Sequence, residues 1–132
     1  LEITETTIMN DAASGFSILE QLKALGIQLS IDDFGTGYSS LARLHQLPID
    51  TLKIDRSFVA GIGVEADSLE ITRTIVKLAH SLEMDLIAEG IETPQHLAQL
   101  RSLQCEYGQG YWFSKPLDKV GAEALLAAPS QW

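Results

Sequence analysis

Short apolar segments alternate with longer amphipathic ones from one end of the chain to the other, and this rhythm restricts the fold more than any other feature. Strands are predicted at residues 1–4, 28–32, 51–55 and 85–89, with a weaker one at 107–113. Between the first two, Phe16, Leu19, Leu22 and Leu25 fall at helical spacing within 13–25, and Gly26 provides a stop. A shorter helix over 39–47 has Ser39 or Ser40 to cap it and Pro48 to end it. Ile71, Ile75, Leu78 and Leu82 repeat the helical spacing through 69–82. Thr93 is placed as the cap of a further helix with Pro94 at its first position, and residues 120–127 form the last one. Such strand–helix alternation indicates a parallel sheet covered by helices.

Side-chain alternation then separates an open sheet from a barrel. Leu29 and Ile31 share one face of their strand, while Gln28, Ser30 and Asp32 share the other. Leu52 and Ile54 likewise oppose Thr51, Lys53 and Asp55, and Leu1 and Ile3 oppose Glu2 and Thr4. An open sheet with helices on both faces favours apolar residues on both. One apolar and one polar face fits a (β/α) barrel, with helices outside and a site at the strand ends. A whole barrel takes about 250 residues and eight strands. This chain has 132 residues and five predicted strands, so it is expected to be a single partial barrel, the C-terminal five or so β/α units.

Charge and composition narrow the function classes. The net charge of −9 repels a phosphate backbone, so binding to a DNA or RNA polymer is not expected, and an anionic ligand would need a cation at the meeting point. Cys105 is the only cysteine, which excludes an internal disulfide and fits an intracellular compartment. No apolar run nears the ~20 residues that span a bilayer, and no basic leader with an apolar segment occurs, so no membrane contact is expected from this segment.

The residues able to carry chemistry sit at or near the predicted strand ends: Glu2 with Glu5, Asp32 with Asp33, Lys53 with Asp55, Glu89 with Glu92, and Gln109. A lone strand-end acid is more often solvated or a helix cap. Adjacent carboxylates such as Asp32 and Asp33 repel unless water or a cation intervenes, and hard divalent ions take such ligands. Lys53 reads either as a buried partner for these acids or as a positive group that orients a water or balances developing charge. Gly35-Thr36-Gly37 reads either as a plain turn or as a mobile loop over the site. His45, His80 and His96 fall in predicted helices and read as surface or packing residues.

The strings LEITE, DDFGTGYSSL, LKIDRSFV, IAEGIET and QGYWFSKP together resemble, in order, the motifs of the EAL domain family of cyclic di-GMP phosphodiesterases. The resemblance implies a modified TIM barrel that cuts cyclic di-GMP to linear pGpG with two Mg²⁺ or Mn²⁺ ions. Glu2 corresponds to a metal ligand, Asp32 to the aspartate that bridges both ions, Asp33 to the second aspartate of that motif, bound to or supporting the second ion, and Glu89 to a metal ligand or candidate base. Lys53 corresponds to the lysine that contacts the attacking water, Asp55 to its companion, and Gln109 to a glutamine near that water. Glu5 corresponds to the glutamate that holds the loop over 34–40, which contains Gly35 and Gly37 and links substrate and dimer contacts to catalysis. Glu92 is expected to support the ligands from behind.

The Glu-Ala-Leu signature and the upstream asparagine ligand of the family are absent from the sequence. Residues 1–132 are therefore expected to form one EAL domain fragment that binds metal weakly, hydrolyses slowly or not at all, and self-associates or pairs with an N-terminal half. The location expected is cytoplasmic, with any membrane anchor in other domains. Two rival readings stay open: a non-catalytic EAL-type module that senses cyclic di-GMP or contacts a protein, and a barrel in which Lys53 forms a Schiff base.

Overall fold

The computed structural model describes residues 1–10, 12–35 and 44–128. Within them, five parallel strands form one sheet in sequence order: β1 (Glu2–Thr4), β2 (Ser30–Phe34), β3 (Thr51–Ile54), β4 (Asp85–Glu89) and β5 (Tyr107–Gln109). The helices are α1 (Glu5–Asn10), α2 (Ala12–Ala24), α3 (Arg56–Ala60), α4 (Ala66–Ser81), α5 (Pro94–Ser102) and α6 (Lys119–Ala127). The order without a crossover back across the sheet is that of a barrel wall, as the alternation argument requires. The α/β class and parallel sheet agree with the sequence reading.

The two faces explain the architecture. Ile31, Leu52 and Leu86 form one row through strand pairing, and Ile54 and Ala88 form the next. All five are fully buried beneath the helices, which contribute Leu19, Val59, Ile75, Val76, Ala79 and Leu100. Each large aliphatic side chain buried this way contributes about 1.5–3 kcal/mol. The other face carries Glu2, Ser30, Asp32, Thr51, Lys53 and Glu89, which turns the sheet's polarity inward at the strand ends. The β3 strand departs from a simple two-sided pattern, because Thr51 and Lys53 are buried as well as Leu52 and Ile54.

Local signals account for most boundaries. Gly26, with φ 78°, ends α2: its N–H reaches the Lys23 carbonyl, and the Ile27 N–H reaches Leu22. Thr93 caps α5 by accepting the His96 N–H at 3.1 Å, and Pro94 occupies the first turn. Asp118 caps α6 by accepting the Gly121 N–H, but no residue of that helix is buried.

Several expectations shift. Residues 28 and 29 precede β2, which instead runs on to Phe34 through a register irregularity between Ile31 and Phe34. Asp33 sits there at φ 56°. The last strand stops at Gln109 rather than 113, because Phe113 N–H turns back to Gly110. Asp55 leaves its strand to cap α3. The helices α1 and α3 had no sequence expectation: Thr6 and Thr7 are poor helix formers, and α3 is only five residues long. The predicted helix 39–47 lies largely outside the described residues, as does Gly37.

Candidate active site

Lys53 defines the site. It comes from the middle of the sheet and is only 5% exposed. Its Nζ lies 2.8 Å from Glu2 Oε1, 3.3 Å from Asp32 Oδ1 and 2.7 Å from Glu89 Oε1. These partners come from the start of β1, the middle of β2 and the end of β4, so one ammonium ties together the strands around β3. Burial pushes the Lys53 pKa down most strongly, but the hydrogen bonds it donates to Glu2, Glu89 and Asp32, with the charge of Glu89, outweigh it, and the net shift is upward. The group stays charged at neutral pH.

Asp33 follows Asp32 in left-handed backbone, so it does not simply alternate to the opposite face. Its pKa is raised, chiefly by desolvation and then by the negative charges of Asp32 and Asp55, against a smaller opposing effect of Lys53. Asp55 is near enough for its side chain to act on the Asp33 carboxyl. Asp55 has the bland role that strand-end acids often have: it caps α3 by accepting the Ser57 N–H at 2.9 Å and the Ser57 hydroxyl. Burial pushes its pKa up, but the Ser57 bonds and Arg56 bring it down overall.

Glu5 is 2% exposed, and its Oε2 accepts the Gly35 N–H at 2.9 Å. The carboxylate thus grips the chain as it leaves β2. Gly35 has φ 98°, where a side chain would be strained. Gln109 stands opposite Glu89 in the pairing of β4 with β5 and is exposed. Glu92 lies beyond β4 and is exposed, with its backbone N–H 3.5 Å from His96 Nδ1. His80 pairs with Glu106 at 2.6 Å, and His45 lies in a turn. A cavity of about 510 Å³ between β5 and α5 reaches Gln109 but none of the carboxylates around Lys53.

The sequence reading did not anticipate two close approaches that shape these strand ends. A Cβ on Gly90, directly after Glu89, would lie 2.7 Å from Arg56 Cβ. A Cβ on Gly110 would lie 2.1 Å from the Ile91 carbonyl oxygen. The only sequence signal was a glycine immediately after each strand-end polar residue.

The donor set is all oxygen and strongly negative, which suits hard divalent ions. Among the described residues, no three acidic, histidine or cysteine side chains stand close enough to hold an ion by themselves. The Lys53 ammonium occupies the centre of the cluster instead.

The EAL domain family model matches residues 1–116. The chain belongs to the EAL domain family. It is 49% identical over 128 residues to the cyclic di-GMP phosphodiesterase NbdA of Pseudomonas aeruginosa, covering 97% of this chain and 16% of that protein. Among solved structures, it resembles the MucR phosphodiesterase of Pseudomonas aeruginosa in complex with cyclic di-GMP, at 43% identity and a TM-score of 0.90. That match covers 92% of this chain and 49% of the other. The manganese and cyclic di-GMP complex of Klebsiella pneumoniae BlrP1 matches at 33% identity and a TM-score of 0.80, over 87% of this chain and 29% of that one. This EAL chain therefore spans about half of the solved MucR chain and less than a fifth of NbdA. Among the described residues, no helix is long and apolar enough to cross a membrane.

Proposed function

We propose that residues 1–132 supply part of a cyclic di-GMP phosphodiesterase site that opens one phosphodiester to give linear pGpG. The observation that carries this reading is the convergence of Glu2, Asp32 and Glu89, from three strands, on Lys53. The likeness to MucR, solved with cyclic di-GMP, supplies the substrate class.

Glu2, Asp32, Asp33 and Glu89 have the chemistry to hold Mg²⁺ or Mn²⁺. Two such ions, when bound, neutralise the substrate's phosphates and bring the pKa of a water toward neutrality. Lys53 is held where it can orient that water or balance charge on the phosphoryl oxygens. In the hydrolysis the water oxygen bonds to phosphorus, the phosphorus–ribose oxygen bond breaks, and the leaving oxygen takes up a proton. Glu89, hydrogen-bonded to Lys53, is the candidate base, and Gln109 opposite it orients the water. Glu5 and Gly35 fix the start of the loop beyond β2, and Glu92 supports the ligand side from beyond β4. The domain acts in the cytoplasm, where a single free cysteine stays reduced, and its open sheet edges favour a homodimer or other self-association.

A second reading is a module that binds cyclic di-GMP without cutting it, and the lack of a three-carboxylate cage among the described residues favours it. By itself the chain is expected to turn over slowly or not at all. The test is a chimera in which residues 1–132 replace the matching half of the MucR phosphodiesterase. Formation of pGpG in Mn²⁺, lost in Asp32→Asn and Lys53→Met, supports catalysis. A folded chimera that binds cyclic di-GMP without producing pGpG selects the sensing reading.

A further inference from the structure

The end of β2 holds an unusual backbone. Asp33 has φ 56° and Gly35 has φ 98°, and a non-glycine residue in that region persists only where its surroundings over-determine it. Three contacts do so here. The Glu5 carboxylate accepts the Gly35 N–H. The Asp55 side chain faces Asp33. The third contact comes chiefly from α3: a Cβ on Gly35 would lie 2.8 Å from Phe58 Cε2, and 3.2 Å from Phe58 Cζ and from Ile75 Cδ1 of α4, so the ring, with the Ile75 methyl beside it, fills the space where a side chain would begin.

Phe58 and Asp55 are not independent. The Phe58 N–H donates to the Asp55 carbonyl at 3.2 Å, in the first turn of α3. One turn therefore carries both the ring beneath Gly35 and the carboxylate beside Asp33. The ring also packs against the core, while Val59 next to it is fully buried. Movement of this turn would shift both ends of the Asp33–Gly35 segment together.

We propose that Phe58 is a positioning residue for Asp33: its ring seats Gly35 and thereby holds the left-handed Asp33 beside Asp32 and Asp55. The consequence for metal binding rests on the function proposed above, but the geometric claim does not. Phe58 touches no reacting atom; it acts through Gly35.

The experiment measures amide hydrogen exchange and the Asp33 carboxyl carbon resonance by NMR, in the chain with Phe58→Ala, Phe58→Leu and Val59→Ala. Phe58→Ala is expected to speed exchange at Gly35 by about tenfold relative to the amides of β3, and to shift the Asp33 resonance. Phe58→Leu, which still fills the seat, is expected to stay within about threefold of wild type. Val59→Ala removes a core side chain from the same helix and should lower global stability without the local signature. Equal effects of Phe58→Ala and Val59→Ala, or none at Gly35, overturn the proposal. Should Phe58→Ala fail to fold, Phe58→Val, which leaves the seat only partly filled, must displace the same Asp33 resonance; an unmoved resonance overturns the proposal equally. Mn²⁺ titration followed by electron paramagnetic resonance separates the two readings: a wild-type chain that binds no Mn²⁺ defeats the metal assignment, while the exchange data still decide the role of Phe58.

Discussion

Replacing Lys53 by methionine removes the ammonium that Glu2, Asp32 and Glu89 share, while keeping a similar stem in the core. The three partners are not equally exposed: their side chains are 58%, 26% and 20% accessible, respectively, against 6% for Lys53. An exposed pair such as Lys53–Glu2 contributes about 0–1 kcal/mol. Removing one partner of a fully buried pair costs about 3–5 kcal/mol. Asp32 and Glu89 fall between these limits, so the whole substitution is expected to cost about 2–4 kcal/mol. Urea unfolding at neutral pH, with the midpoint compared at equal m-value, measures this. Because the Lys53 pKa is raised, its stabilisation is fully present below the ordinary lysine value of about 10.4 and is lost only as pH rises through the higher folded value. The deficit of the variant should therefore stay flat from about pH 6 to 9. Mn²⁺ should narrow it, since a divalent ion can satisfy the orphaned carboxylates. A loss below about 0.5 kcal/mol would mean that the cluster is not electrostatically coupled.

Gly110→Ala should cost about 2–4 kcal/mol, since its methyl collides with Ile91 and breaks the bonds that run from Ile91 N–H to Gln109 and from Trp112 N–H to Ile91. Thermal unfolding monitored by Trp112 emission checks this, and an unchanged midpoint sinks it. In Asp50, burial pushes the carboxyl pKa up, but the Lys23 ammonium and the Leu29 N–H at 2.7 Å bring it below its ordinary value. Its stabilisation of about 1 kcal/mol should be present above about pH 4 and disappear as pH falls through the lower folded value, so the gap between wild type and Asp50→Asn closes in acid. Asp33→Asn should leave stability unchanged or raise it slightly at neutral pH while weakening Mn²⁺ binding, because a raised carboxylate pKa means that the ionised form disfavours folding. Equal Mn²⁺ affinity in that variant would remove Asp33 from the metal assignment.

The sheet and most helices were legible because their signals are local. The alternation of Leu52 and Ile54 with Thr51 and Lys53 fixed the strand and its polarity, and Gly26, Thr93 and Pro94 marked helix ends through backbone chemistry. The site residues were legible as a set of strand-end acids around one lysine. Their mutual distances were not, because the partners of Lys53 lie 51, 21 and 36 positions away and only folding brings them together. The bulge at Asp33 escaped the period-two argument, since an added residue shows itself only against a paired strand. The contact of Phe58 with Gly35 escaped for a similar reason: a phenylalanine inside a short helix carries no mark of what it touches.

The charge balance at the strand ends connects stability with function. Glu2, Asp32 and Glu89 share a single positive charge from Lys53, and Asp33 and Asp55 add further negative charge beside them. A fold selected only for stability would not gather these groups, since like charges held close cost free energy unless cations intervene. The lysine reduces that cost but cannot cancel it. On the function proposed above, that surplus is what divalent ions would balance, and an acidic chain would meet a phosphodiester most readily through such ions. The cluster gathers around Lys53 and is still short of positive charge, which is the condition that the metal-dependent site proposed above would require.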